Sequence, residues 1–103
     1  MVVAKRKSPF FLSIDKTKVS DKNFEILITL LSRASSLRSL RVSNTGITLQ
    51  PATVDKNLQN FLKKTQIQNL NLSSNKIGLD GILALSQSLV FNKSLVKLNI
   101  SKN

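Results

Sequence analysis

The chain has no cysteine, histidine, tryptophan or tyrosine, and its 103 residues include only 5 acidic groups, 3 glycines and 2 prolines. Without cysteine there is no disulfide framework and no thiolate zinc site. Without histidine, the side chain that most often serves as a general base near neutral pH is missing. The carboxylates are Asp15, Asp21, Glu25, Asp55 and Asp80, and no two are spaced to build a catalytic pair or a metal site. The sequence therefore predicts no enzyme, no metal and no cofactor. Apolar runs are short as well. The longest, residues 24–31, is interrupted by Glu25 and Thr29, whereas a membrane-crossing helix needs about 20 apolar residues. The opening MVVAKRK carries charge with no apolar stretch behind it, unlike a secretory signal. Together these absences predict a cytoplasmic protein.

What is present is apolar and basic. Leu, Ile, Val and Phe make up 37 of the 103 residues, far above the roughly 20% below which chains stay disordered. A packed core follows, and the length suits one domain. Sixteen Lys and Arg give a net charge of +11 and a pI near 10.7. Such a charge raises nucleic acid or an anionic membrane as partners. Against them, the stacking aromatics that single-stranded nucleic acids require are scarce, and the five Phe fit core or near-core repeat positions. The one tight basic cluster, Lys5-Arg6-Lys7, has three residues. These partners therefore rank last.

A repeat organises the chain. Residues Ile67, Leu70, Leu72, Asn75 and Ile77 follow the pattern LxxLxLxxNxI. Leu37, Leu40, Val42, Thr45 and Ile47 repeat it, and Leu95, Leu98, Ile100 and Asn103 begin it again. A degenerate copy starts at Pro9, with Leu12, Ile14, Thr17 and Val19. Each first half alternates like a strand. Each second half shows helical spacing: Phe24, Leu27, Ile28 and Leu31; Val54, Leu58 and Phe61; Ile82, Leu85 and Leu89, with Ser86 completing the last set. The middle copy aligns if two residues are inserted within 48–53, a stretch containing Pro51, a residue suited to a loop or a first helical turn. The boundaries read 1–8 as a basic N-terminal segment, then repeats 9–36, 37–66, 67–94 and a truncated 95–103.

The spacing, with the run NKIGLDGILALSQSL at 75–89 and the following Asn92 and Leu95, resembles the leucine-rich repeat proteins of the ribonuclease-inhibitor-like subclass. The resemblance spans residues 9–103. It implies members as varied as inhibitors, innate immune receptors, GTPase activators and regulators of actin or capping protein. Physics gives the same fold independently. A strand and helix of this length cannot bury both apolar faces alone, so the copies must stack. Right-handed crossovers then yield a parallel sheet with helices outside. Helices are about 10 Å wide and strands about 4.8 Å apart, so the stack curves. The predicted fold is an α/β solenoid, a horseshoe segment with strands concave and helices convex, and part of a longer horseshoe.

On that fold, Thr17, Thr45, Asn75 and Asn103 occupy the position where the chain leaves each strand. An amide there can satisfy main-chain groups of adjacent repeats. A hydroxyl offers one donor, so the first two copies should be held more weakly. The concave face or its rim receives Phe11, Lys16, Arg38, Arg41, Asn69, Asn71, Lys97 and Asn99. This surface suits an acidic protein partner, with Phe11 as a contact anchor. The predicted function is a non-catalytic interaction module: a scaffold, an inhibitor or the sensor segment of a receptor. No small-molecule substrate is expected. The alternative is a regulator of a GTPase or of actin or capping protein, acting through the irregular loop at 48–53. The open C-terminal end invites self-association or cover by another chain.

Overall fold

In the computed structural model, which describes residues 8–103, the two periodicities separate into two layers. The strands are β1 (Phe10–Asp15), β2 (Leu37–Ser43), β3 (Asn69–Asn71) and β4 (Lys97–Asn99). The helices are α1 (Asp21–Leu31), α2 (Pro51–Lys64) and α3 (Leu79–Leu89). The sheet is wholly parallel, ordered β1-β2-β3-β4, with one helix crossing over between each pair of strands. This is the α/β solenoid segment the repeats require, with the sheet concave and the helices convex. No helix among the described residues is long and apolar enough to cross a membrane. The Lys5-Arg6-Lys7 cluster lies outside the described residues.

Each element begins where local chemistry starts it. Ser20 caps α1 by accepting from the Asn23 backbone N–H at 3.1 Å, and Asp21 places a negative charge in the first turn. Pro51 opens α2, where its missing N–H costs nothing, and Lys63 and Lys64 lie in the last turn. The two residues that lengthen the second repeat fall in the loop at 48–50, ahead of Pro51. The strand positions Leu40, Val42, Leu70 and Leu72 point inward and meet Phe24, Ile28, Leu31, Leu58 and Phe61 from the helices. All of these are essentially inaccessible to solvent.

The third helix differs from its predicted face. It buries Gly81, Ala84, Leu85 and Ser88, while Ile82 and Leu89 are half-buried and Ser86 is exposed. The cause is one-sided packing. Helix α3 has α2 on one flank only, so the residues turned to α2 are covered and the next positions round the helix are not. Gly81 lies against the loop at 48–50, where a Cβ would meet the Thr48 carbonyl oxygen and Leu49.

A second regularity marks the strand exits. Lys16, Asn44, Ser74 and Lys102 all have φ between 54 and 57°, in the left-handed region. They recur at the same place in each repeat. The left-handed residue precedes Thr17, Thr45, Asn75 and Asn103 in turn, of which Thr45 and Asn75 are buried within the stack while Thr17 and Asn103 are exposed.

Candidate protein-interaction face

Strand register places the outward side chains in rows that run across the sheet. One row is Phe11, Ser39, Asn69 and Lys97. The next is Ser13, Arg41, Asn71 and Asn99. Six of the predicted concave residues thus fall in two adjacent lines, with about 4.8 Å between neighbouring strands. Ser39, Arg41, Asn69, Asn71, Lys97 and Asn99 line a shallow groove of about 550 Å³ floored by Leu70 and Leu98. Phe11 stands at the β1 end of its row and is 79% exposed, whereas its neighbour Phe10 turns toward the core.

The other two predicted residues are placed elsewhere. The Arg38 guanidinium donates to the carbonyl of Ser35 at 2.8 Å and to that of Leu37 at 3.3 Å, which ties it to the start of β2. Lys16 is the left-handed turn residue after β1 and is exposed at the rim.

Arg41 is held in place. Its Nε donates to Ser43 Oγ at 2.9 Å, and Ser43 Oγ donates to Asp15 Oδ1 at 2.9 Å. Asn44 Nδ2 also donates to Asp15 Oδ1, at 2.9 Å. Asp15 and the guanidinium are 3.8 Å apart. The hydrogen bonds from Asn44 and Ser43, with smaller help from Arg41 and Lys16, hold the Asp15 carboxyl below the usual aspartate range. Asp15 therefore offsets part of the Arg41 charge at one corner of the face, while Lys97 makes no ion pair among the described residues.

Beneath the face, the stack is fastened by two different devices. Asn75 is buried and bonds in both directions. Its Oδ1 accepts from Thr45 N and Oγ1 at 2.8 Å each and from Gly46 N at 3.1 Å. Its Nδ2 donates to the carbonyls of Val42 at 2.7 Å and Leu72 at 3.0 Å. Asn103 acts likewise on Asn75 N, Ile77 N and the Leu72 carbonyl. Thr45 joins this network from the preceding repeat, whereas among the described residues Thr17 reaches only the Asp15 carbonyl, at 3.3 Å.

Between the first two repeats, carboxylates take over. Asp15 binds Ser43 and Asn44, as above. Asp21 accepts from Thr48 Oγ1 at 2.5 Å, Thr48 N at 2.8 Å, Gln50 N at 3.0 Å and Leu49 N at 3.2 Å. Partial burial pushes its carboxyl up, but these donors together pull it further down, below the usual range. The loop so held contains Leu49, a fully buried leucine at φ 52°. That conformation costs a non-glycine residue about 1–2 kcal/mol. The irregular loop is thus a clamped element. The carboxylate clamp escapes sequence reading because each acid is separated from its hydrogen-bond donors by 27 to 29 residues.

Comparison with known proteins places this architecture. A family described as leucine-rich repeat matches residues 64–86, which cover β3 and most of α3. A Caenorhabditis elegans protein named protein phosphatase 1 regulatory subunit 37 homolog is 29% identical over 90 residues, covering 87% of this chain. The chain spans 9% of that relative's length. The solved structure of the C-terminal domain of Caenorhabditis elegans tropomodulin superposes with a TM-score of 0.78 over 97% of this chain and 59% of that one. Sequence identity there is 18%, so the likeness is one of fold. Repeat spacing, strand order and these matches agree on an α/β solenoid similar to the leucine-rich-repeat proteins.

Proposed function

We propose that the chain is a non-catalytic interaction module that docks an acidic protein surface on its concave face. The observation that carries this reading is the pair of side-chain rows. Arg41 and Lys97 stand at opposite strands of a groove whose remaining lining is amide, hydroxyl and two leucines. Positive potential over such a groove steers an acidic partner and fixes its orientation, and exposed Phe11 supplies an apolar anchor at one end of its row. A relative named as a regulatory subunit supports a role exercised on another protein, and the cysteine-free composition supports the cytoplasm as its setting. Affinity capture with the wild-type chain, followed by mass spectrometry and reconstitution with the purified partner, tests the reading. Arg41→Glu with Lys97→Glu abolishes binding of an acidic partner, and Phe11→Ala weakens it without loss of fold. Binding that survives the double charge reversal sinks the concave basic site.

A second reading assigns a regulatory contact with a GTPase or with actin or capping protein to the loop at 48–50. Its support is the rigidity that Asp21 gives that loop. Deleting residues there would remove buried Leu49 and its clamp. Substituting exposed Gln50 is the clean test, and an unchanged regulatory activity in Gln50→Arg removes the loop from consideration. For self-association, the candidate surface is the outer edge of β4 with Val96 and Leu98 exposed, together with the uncovered flank of α3. Light scattering that shows a monomer at high concentration excludes it.

A further inference from the structure

The middle of the second row presents hydrogen-bond donors almost exclusively. Asn71 and Asn99 lie side by side on β3 and β4. Each is the first residue of an Asx turn, in which its side-chain oxygen is committed to its own main chain. Asn71 Oδ1 accepts from Ser73 N at 3.0 Å. Asn99 Oδ1 accepts from Ser101 N at 3.0 Å and from Ser101 Oγ at 2.7 Å, which fills both lone pairs. A backbone N–H can only be met by the amide oxygen, so the turn fixes which way each amide faces. Both Nδ2 groups remain without a partner among the described residues and line the groove. Arg41, on the next strand in the same row, adds a guanidinium that can only donate. Lys97, one row away, adds an ammonium.

We infer that this row is a carboxylate-reading surface, and that the amides of Asn71 and Asn99 determine specificity rather than merely spacing the cations. The inference rests on the concave-face reading and deepens it. Cations alone attract any anionic surface over a distance of about a Debye length, roughly 8 Å in physiological salt. Fixed neutral donors act only at contact. They favour a ligand group that accepts several hydrogen bonds and offers none, which describes an ionised carboxylate, with about four lone-pair sites. A side-chain amide of a neutral peptide brings donors of its own into a field of donors and leaves them unpaired. The partner segment is therefore rich in Glu or Asp, with acidic side chains turned onto β2, β3 and β4. Asp15, at the corner beyond Arg41, sets the limit of the acceptor-binding zone on the β1 side.

The probe is a fluorescein-labelled deca-glutamate peptide, followed by fluorescence anisotropy against the full chain over a range of salt concentrations. Deca-glutamine is the uncharged control, and inorganic phosphate is the competitor that separates a general anion site from a carboxylate site. Asn71→Ser with Asn99→Ser keeps the net charge and keeps a side-chain acceptor for the turn, but withdraws the amide donors. Circular dichroism confirms that it folds. The expected result is a Kd at least about tenfold weaker than wild type with an unchanged salt dependence. Arg41→Gln with Lys97→Gln instead lowers the salt dependence itself. An unchanged Kd in the serine double variant overturns the amide assignment even when the glutamine variant weakens binding, a result that leaves the basic concave site standing. Equal competition by millimolar phosphate, or equal binding of deca-glutamine, also overturns it. Binding indifferent to both double variants overturns the amide assignment and the concave-face reading together.

Discussion

The carboxylate of Asp21, the first residue of α1, closes the loop that leads into α2 of the next repeat, accepting Thr48 Oγ1 at 2.5 Å and Thr48 N at 2.8 Å. One acid thus joins two repeats at the point where the polar ladder has a hydroxyl, Thr45, in place of an asparagine. Asp21→Asn turns donors toward at least one of these N–H groups and is expected to destabilise the chain by about 1–2 kcal/mol, with the lower end favoured by partial solvent exposure. Urea unfolding at neutral pH measures it.

The same clamp gives a pH dependence of defined sign. The folded-state pKa of Asp21, and that of Asp15, lies below the usual 3.8. The unfolded chain therefore takes up these protons first. Their stabilisation is intact above about pH 4 and is lost as pH falls through the lowered folded values. The wild-type unfolding midpoint should fall as the pH drops below about 4, and Asp15→Asn with Asp21→Asn should flatten that part of the curve. A double variant with the wild-type slope would overturn the assignment of acid sensitivity to Asp15 and Asp21.

Asn75 and Asn103 make similar bonds in different surroundings, and the difference is measurable. Asn75→Ala strands the Thr45 and Gly46 N–H groups and the Val42 carbonyl in the interior, for an expected loss of about 2–4 kcal/mol. Asn103 is exposed, so water replaces its bonds and Asn103→Ala should cost about 1 kcal/mol or less. Equilibrium denaturation of the two variants should separate them clearly.

Two glycines three residues apart should respond with opposite signs. A Cβ on Gly81 would fall 2.6 Å from the Thr48 carbonyl oxygen and 2.8 Å from Ile77 Cγ2. Gly81→Ala therefore forces loop 48–50 off the helix, at about 1–3 kcal/mol, which outweighs a helix-propensity gain of at most about 1 kcal/mol. Gly78 caps α3 without a side-chain bond and has open space around it. Gly78→Ser should add a cap bond and a few tenths of a kcal/mol. Thermal melts of the two single variants are sufficient.

Ser74 occupies the left-handed turn after β3, at φ 57°. Asparagine tolerates that region better and already holds the equivalent place at Asn44. Ser74→Asn should stabilise by about 0.5 kcal/mol, and a lower melting temperature would refute the assignment of strain to this turn.

Much of the architecture was legible because burial is periodic. Leu40 and Val42, Leu70 and Leu72, and Phe24, Ile28 and Leu31 declare strand and helix faces by spacing alone, whereas Pro51 suits either a loop or a first helical turn, and the structure makes it the latter. Side-chain hydrogen bonding was less legible. Whether Arg38 and Arg41 share a surface depends on carbonyls that draw Arg38 back to Ser35, and on a Ser43–Asp15 pair that props Arg41 outward. The roles of Asp15 and Asp21 were hidden for the same reason, since isolated acids carry no periodic signal. The donor character of Asn71 and Asn99 needs the turns themselves, because sequence alone leaves an amide free to face either way. The uncovered flank of α3 lies between these cases. Ile82 and Leu89 have the right spacing for a core, but burial also requires a neighbour.

Within each layer, close backbone contacts join neighbouring elements: β1 to β2, β2 to β3, β3 to β4, α1 to α2 and α2 to α3. Among the described residues, no strand of the first repeat pairs with the last strand. Order is therefore handed along the chain like a zipper, and the second repeat, whose strand and helix both have neighbours on each side, is the segment whose amides should exchange with deuterium most slowly. Protection should fade toward β1 and β4, so the candidate interaction face runs from a firm centre to edges that exchange sooner.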